Sequence, residues 1–263
     1  MSDVGVGLDL RKMPGHWLLA RMGKRVLRPG GIELTRAMLE ALEVSTSDQV
    51  VELAPGLGVT TRSTLTRAPA TYIGVERDRV AAAQVRRWLR PAVDRCVVGS
   101  ALETGLDAES ASVVYGEAML TMQSPRQKER IVREAARILA PGGRYGIHEL
   151  GLTPDDLDGT AKAEVGRDLS AAIRVGARPL TAPEWRTLLE AEGLEVVAER
   201  TAPMHLLEPG RLVRDEGPLG AARIAFNVMR TPAARARVLE MRRTFRRHQA
   251  HLNAIMLVAR KRR

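Results

Sequence analysis

Residues 49–58 read Gln-Val-Val-Glu-Leu-Ala-Pro-Gly-Leu-Gly, an apolar run that ends in a proline and two glycines. The run predicts a buried strand over 49–53, and residues 59–67 predict a helix directly after the loop. Glycines at 56 and 58 allow a tight turn and let the backbone approach a ligand without an intervening side chain. A strand, a glycine loop and a helix in this order are typical of a nucleoside-binding turn in an α/β sheet.

Two acidic residues flank this loop. Glu76 stands eighteen residues after Gly58, at the end of the next predicted strand, where a carboxylate can accept hydrogen bonds from both hydroxyls of an adenosine ribose. Glu52 lies on the strand before the loop, where it would repel a pyrophosphate and attract a cation such as an amino-acid ammonium. Thr61 occupies the place of the third glycine of a dinucleotide fingerprint. The loop therefore predicts a positively charged adenosine ligand.

Strand-like and helix-like segments alternate along the chain, which predicts a three-layer α/β fold. We expect a doubly wound, seven-stranded, mostly parallel sheet with helices on both faces, an antiparallel last strand, and a helical cap inserted between strands six and seven. The predicted strands are 49–53, 72–76, 95–99, 111–116, 144–150, 194–198 and 254–259.

At this point the chain resembles the class I S-adenosylmethionine (SAM)-dependent methyltransferases. Their first motif is an acid, three further residues and then G-x-G, and it is matched by Glu52, Gly56 and Gly58. Glu76 matches the acid that closes strand two, and residues 139–143, Leu-Ala-Pro-Gly-Gly, match the turn into strand five. Residues 179–194 are similar to the segment before strand six in ubiquinone/menaquinone-type small-molecule members. The resemblance implies a Rossmann-like fold, SAM as cofactor and methyl transfer as the activity.

Carried over residue by residue, the resemblance implies cofactor contacts at the ends of the first, second, third and fourth strands. They are Glu52, Ala54, Gly56, Gly58 and Thr61 around the methionine part, Glu76 and Arg77 at the ribose and adenine, Ser100 and Ala101 at the adenine amino group, and Glu117 and Ala118 beside the sulfonium. The hydroxyls of Thr60 and Thr61 have two interpretations, contact with the methionine carboxylate or capping of the following helix.

Four residues are candidate general bases, should the methyl acceptor carry a proton that must leave. They are Glu117, His148, Glu149 and His205. Strand alternation puts His148 and Glu149 on opposite faces, so at most one of them points into the ligand cleft. Each histidine can instead be a packed structural residue. The five histidines and single cysteine show no metal-ligand spacing, so we expect no metal site.

The net charge of +10 is concentrated at the ends of the chain, and residues 231–263 alone contain ten bases and one acid. Within that region Val238, Met241, Phe245 and Leu252 recur at helical spacing among arginines. This basic amphipathic helix has three interpretations: a lid packed on its own domain, a contact with an anionic membrane, or a phosphate-binding element. The charge itself can also be a solvated surface. Aromatic residues make up 3% of the chain, which disfavours a nucleic-acid surface built on base stacking.

The function expected from these features is transfer of a methyl group from SAM to a small apolar metabolite, such as a lipid, a quinone-like compound or a natural-product scaffold. Methionines at 119, 122, 204 and 229 are expected to line an apolar binding site for the methyl acceptor. The alternatives are an RNA methyltransferase that uses the basic C-terminal region, and a non-catalytic SAM-binding protein. A homodimer is a further open alternative.

We expect four regions. They are an N-terminal helical segment over the cofactor site (1–35), the SAM-binding core (36–204), a helical cap (205–252), and the final strand with a basic tail (253–263). The N-terminal sequence lacks the apolar stretch and small-residue cleavage site of a secretory signal, so the expected location is the cytoplasm.

Overall fold

Apolar runs form the strands of one mixed sheet in the computed structural model, which describes residues 7–262. The strands are β1 (Gln49–Leu53), β2 (Thr71–Glu76), β3 (Arg95–Val98), β4 (Ala111–Glu117), β5 (Leu139–Leu152), β6 (Leu180–Thr181), β7 (Leu194–Pro203) and β8 (Leu252–Lys261).

Helices cover both faces of this sheet and one of its ends. They are α1 (Gly15–Arg21), α2 (Gly31–Ala41), α3 (Val59–Leu65), α4 (Arg79–Arg86), α5 (Pro125–Ile138), α6 (Gly159–Ile173), α7 (Ala182–Glu190), α8 (Pro209–Arg230) and α9 (Pro232–Arg247), followed by a short 3₁₀ helix (Gln249–His251). At the start of α7, Glu184 Oε2 accepts a hydrogen bond of 2.8 Å from the backbone N–H of Thr181.

The strand order is β3-β2-β1-β4-β5-β8-β7, and β6 pairs with the end of β5. The strands from β1 to β5 run parallel to their neighbours, whereas β8 runs antiparallel to both β5 and β7. The chain winds outward in both directions from β1, so the carboxyl ends of β1 and β4 border the crevice where such sheets bind ligands.

This architecture confirms the predicted fold class, with differences of detail in the strands. The two-residue strand β6 was not predicted, because pairing over two positions leaves no periodic signal in the sequence. β7 continues to Pro203 rather than ending at 198, because antiparallel pairing with β8 extends beyond the apolar run. β5 is likewise longer than predicted, since it begins at Leu139 and ends at Leu152.

Alternate residues of the central strands enter two separate cores. On β1, Val51 and Leu53 pack in a cluster with α5 and α7, whereas Val50 packs on the opposite face with α2 and α4. Glu52 follows the alternation and lies on the Val50 face, among the fully buried rings of Tyr72 and Tyr115. The two covered faces, predicted from the alternation of strand-like and helix-like segments along the chain, are thus both present at β1.

Helices α8 and α9 form the connection between β7 and β8. Val238, Met241 and Phe245 of α9 pack in a cluster with Met13 and Leu18 of the N-terminal region. The apolar stripe of α9 therefore faces its own protein, which favours the packed-lid interpretation over a lipid contact of this helix. Within residues 7–262, no helix has the length and apolar character needed to cross a membrane.

Candidate active site

A cleft opens at the carboxyl ends of the parallel strands, between the glycine loop after β1 and the helices α1, α6 and α9. Its volume is about 1860 Å³ including the open mouth. Its lining joins the glycine loop and the ends of β2 and β4 to residues of α1, α6 and α9.

The glycine loop forms the floor of one part of the cleft. Gly56 has φ +57° and Gly58 has φ +72°, backbone conformations that glycine adopts without strain. A Cβ atom on Gly56 would meet only the carbonyl oxygen of Ala54, at 3.9 Å, so the space above it is open. The loop thus offers bare backbone to a ligand, as the sequence predicts.

Glu76 closes β2 at the edge of the cleft, beside Arg77 and Ser100. Its carboxylate accepts hydrogen bonds of 2.9 Å from the backbone N–H groups of Gly56 and Asp78. Burial raises the pKa of Glu76, and these two N–H groups oppose the rise. A direct hydrogen bond therefore joins the glycine loop to Glu76 at the end of the second strand.

Glu52 lies beneath the loop and contacts the cleft from below. Its Oε2 atom accepts hydrogen bonds from the hydroxyls of Thr61, Tyr72 and Tyr115. Burial raises the pKa of Glu52 to about 7, and the hydroxyl donors limit the rise. Thr61 is completely buried behind this carboxylate. Of Thr60 and Thr61, therefore, it is Thr60 that lines the cleft.

Glu117 is the centre of a buried network at the end of β4. Oε1 accepts hydrogen bonds from Thr35 Oγ1 (2.6 Å) and His148 Nδ1 (2.8 Å). Oε2 accepts one from Thr60 Oγ1 and lies 3.3 Å from an Arg28 guanidinium nitrogen. Although burial opposes ionisation, the charge of Arg28 and the hydrogen bond from His148 lower the pKa of Glu117 to about 2. At neutral pH this group is a fixed negative charge and a poor proton acceptor.

His148 is completely buried and does not line the cleft. Its Nδ1 faces the Glu117 carboxylate, and its Nε2 lies 2.6 Å from the carbonyl oxygen of Pro29. Each ring nitrogen thus has a hydrogen-bonding partner within the protein. This geometry makes His148 a support for Glu117 and for the segment at Pro29 rather than a group in reach of substrate.

Glu149, the next residue on β5, faces the other side of the strand. Its oxygens accept hydrogen bonds from the backbone N–H groups of Met119, Leu120 and Thr121, and from the Thr121 hydroxyl. Burial raises the pKa of Glu149, and these four donors oppose the rise. The carboxylate thereby holds the turn after β4 in place.

His205, the fourth candidate base, is not brought to this cleft. It follows β7 with φ +27° and lines a separate pocket together with Arg242, Arg246 and Gln249. The remaining predicted cofactor contacts, Ala54, Arg77, Ser100, Ala101 and Ala118, all line the main cleft. Gly58 stands at the start of α3, where its Cβ position faces Val85 and Trp88.

Arg28 is the cleft residue that sequence reasoning did not single out. Its side chain is 9% exposed, and its Nε and one terminal nitrogen have no hydrogen-bond partner within residues 7–262. Unpaired donors at such a buried position are costly unless a ligand accepts from them. In the sequence Arg28 is one of six bases among residues 1–30, and nothing local distinguishes it.

Its position depends on a clamp between the N-terminal segment and α8. Glu216 Oε1 accepts hydrogen bonds from the backbone N–H groups of Arg25 (2.7 Å) and Val26 (2.8 Å). The ammonium of Lys24 lies 3.5 Å from Asp215, with both side chains fully buried. These contacts hold the chain just before Arg28 against the first half of α8.

The part of the cleft away from the glycine loop is apolar. Met119, Met122 and Met204 line it, as expected from the sequence. Met229 does not, because it lies on the outer face of α8 and is 67% exposed. Among residues 7–262, no three metal-ligating side chains come together.

Comparison with known proteins agrees with this geometry. Residues 50–143 match the methyltransferase domain family. An uncharacterised protein of Haemophilus influenzae is 29% identical over 247 residues, covering 92% of this chain and 96% of the relative.

Two solved structures show the same fold. Phosphoethanolamine N-methyltransferase 2 of Haemonchus contortus, in complex with SAM, superimposes with a TM-score of 0.71 at 14% identity, over 95% of this chain and 57% of that one. The [4+2]-cyclase SpnF superimposes with a TM-score of 0.68 at 15% identity, over 94% of each chain. The matched region forms the centre of this fold, so the chain contains a methyltransferase domain, which supports SAM-dependent methyl transfer with SAM as the cofactor.

Proposed function

We propose that this methyltransferase acts on a small, predominantly apolar metabolite, of the kind found among lipids, quinone-like compounds and natural-product scaffolds, held beside SAM. The observation that carries the proposal is the division of the cleft into two parts. The polar part contains Glu52, Glu76 and Arg28. The other part is lined by Leu150, Leu169, Ile173, Met204, Leu206 and Phe245.

The polar part fits SAM. The unpaired donors of Arg28 suit the methionine carboxylate. Glu52 suits the ammonium, because its three hydroxyl donors all bind the same oxygen, Oε2. The open space above Gly56 and the carboxylate of Glu76 suit the ribose. When bound there, SAM supplies a methyl group on an already activated sulfonium.

The chain's own contribution to the reaction is positioning and exclusion of water. Glu117 and Glu149 have their carboxylates occupied by internal donors, and His148 is out of reach of the cleft. His16 lines the cleft, but burial and then the charge of Arg77 lower its pKa to about 4, so it is a weak base. This supports an acceptor that is nucleophilic at neutral pH without help from a side-chain base.

We also propose that residues 1–35 and 205–252 act together as a cap over the core of residues 36–204, with residues 253–263 as the last strand and tail. Residues 1–6 and 263 lie outside the described part of the chain. The clamp of Lys24 and Arg25 on Asp215 and Glu216 supports this arrangement, because it joins the two cap segments directly.

RNA is less well supported as a substrate, because several arginines of the basic C-terminal region are engaged internally. Arg242 and Arg246 both bind Glu208, and Arg247 binds Asp168. Arg237 is buried and donates to backbone carbonyl groups. Binding of RNA phosphates by these arginines would have to displace their internal ion pairs and hydrogen bonds.

The test is transfer of label from methyl-labelled SAM into fractionated host extract, counted separately in the lipid, polar-metabolite and RNA pools. We expect label in the lipid or metabolite pool and a strong loss of it in Glu76→Ala. The exposed Arg200→Gln on β7 is the matched control and is expected to retain activity. Mass spectrometry of the labelled pool then identifies the acceptor.

Label confined to RNA would replace the small-molecule proposal with the nucleic-acid alternative. SAM binding without label in any pool would instead support a non-catalytic binder.

A further inference from the structure

The second half of α8 presents large apolar side chains to solvent. Leu219, Phe226 and Met229 are 87%, 57% and 67% exposed, respectively. Their spacing of seven and three residues places them along one face of the helix, with the exposed Ala222 between them. Isolated exposed apolar residues are common on protein surfaces. Three large apolar residues along one helix face instead indicate a surface that binds a partner.

This half of α8 is a separately oriented, well-anchored helix. Gly217 breaks the helical path with φ 76° and ψ 165°, and Pro218 restarts it. The opposite face packs on the protein through buried Ile224 and through Asn227, whose amide donates to the Met22 carbonyl oxygen at 3.0 Å. The exposed apolar face therefore belongs to a fixed structural element.

The segment that carries this face is cationic. Residues 217–239 contain four arginines and no acid, and Arg223, Arg230 and Arg235 of these are exposed. The guanidinium of Arg230 stacks over the ring of Phe226 at 5.2 Å. The acid that precedes the segment, Glu216, is buried in the clamp with Arg25.

We propose that this face, defined by Leu219, Phe226, Met229, Arg223 and Arg230, is a docking surface for an anionic lipid bilayer. Side chains of this kind insert into the interface between head groups and acyl chains, while flanking arginines bind lipid phosphates. The charge argues against a second copy of the chain, because pairing two such faces would bring arginines against arginines. The large apolar side chains argue against nucleic acid.

The docking surface is continuous with the elements around the cleft. The first half of α8 clamps the segment that ends at Arg28, and the second half carries the exposed face. Docking would thus hold the catalytic domain next to a phase in which apolar metabolites dissolve. The inference does not depend on the proposed function, because vesicle binding is measured without SAM or acceptor.

The test is co-sedimentation of the full-length protein with vesicles of phosphatidylcholine alone and of phosphatidylcholine with one third phosphatidylglycerol. We expect binding to the anionic vesicles, weakened by salt. Leu219→Gln/Phe226→Gln/Met229→Gln and, separately, Arg223→Gln/Arg230→Gln should each reduce the partition coefficient about tenfold or more. The matched control, Val197→Gln/Arg200→Gln, changes an exposed apolar residue and an exposed arginine on the edge strand β7 and should bind as the wild type does.

All these substitutions are at exposed positions, and thermal melting checks that each variant is folded. Equal binding of the wild type and the α8 variants, or no preference for anionic vesicles, would overturn the proposal. It would also be overturned by light scattering that shows a dimer dissociated by the apolar substitutions, since the occupant would then be a second copy. RNA binding that is lost on the arginine substitutions alone, without vesicle binding, would identify the face as a nucleic-acid site.

Discussion

The guanidinium of Arg28 lies 3.3 Å from the Glu117 carboxylate and still keeps two of its nitrogens without a hydrogen-bond partner among residues 7–262. A single acid therefore does not satisfy this buried cation. The arrangement joins a base from the N-terminal segment to the end of β4 and leaves unpaired donors on a residue that lines the cleft.

Replacing Arg28 with glutamine should weaken SAM binding by about 1–3 kcal/mol, because it removes charged donors for the methionine carboxylate. Isothermal calorimetry measures this loss. Arg200→Gln, at an exposed site on β7, should leave the affinity unchanged. An Arg28→Gln protein that binds SAM as tightly as the wild type would show that the free donors serve another ligand.

Glu76→Ala should also weaken SAM binding by about 1–3 kcal/mol, since it leaves the ribose hydroxyls unpaired. It removes the acceptor of the Gly56 and Asp78 N–H groups as well, so a moderate loss of stability is expected. Glu76→Gln separates the two effects, because the amide keeps an acceptor oxygen. Unchanged calorimetric affinity in both variants would exclude Glu76 from the ribose site.

Glu52 should make the ligand-free protein less stable as the pH rises from about 4.5 to about 7. Its pKa is raised from 4.5 to about 7, so the folded state binds the proton more tightly than the unfolded state does. The resulting stability is complete below pH 4.5, is lost on the way to pH 7, and amounts to about 3 kcal/mol at most. Chemical denaturation of Glu52→Gln across this range should show a flatter profile than that of the wild type. Parallel profiles would contradict the raised pKa.

The same carboxyl group should link SAM binding to pH. If the SAM ammonium pairs with ionised Glu52, affinity should increase between about pH 5.5 and pH 7.5, below the usual α-amino pKa of about 8. Calorimetry of the wild type and of Glu52→Gln over this range measures the linkage. An increase of the same size in both proteins would place its origin elsewhere.

Lys24→Met should destabilise the protein by about 3–5 kcal/mol, because it leaves the buried Asp215 without its cation. It should also weaken SAM binding, since the segment that carries Arg28 loses its clamp to α8. Arg25→Gln is the matched control: this arginine is 58% exposed and pairs with Glu216, so its loss should cost less than about 1 kcal/mol. Denaturant titration compares the two. Similar losses would mean that burial of the Lys24 pair is not what secures the segment.

The sequence by itself determined the fold and the half of the candidate site that we propose binds the nucleoside of SAM. The strand over 49–53, the glycines at 56 and 58 and the acid at 76 are close in sequence, and their roles follow from local conformation and strand order. Alternation along β5 likewise indicated that His148 and Glu149 face opposite sides of the sheet. It did not indicate that both side chains are already hydrogen-bonded to other groups of the protein.

Only the tertiary structure decided which of the remaining residues face the cleft. The segment before Arg28 is held by Asp215 and Glu216 on α8, which are remote in sequence and contact Lys24 and Val26. Glu149 is occupied by backbone groups of a neighbouring turn. The apolar stripe visible in α9 became core, whereas the exposed face arose on α8, where Gly217 reorients the helix. The physical reason is that local patterns fix backbone conformation, while hydrogen-bond saturation, burial and charge pairing depend on segments that meet only in the folded chain.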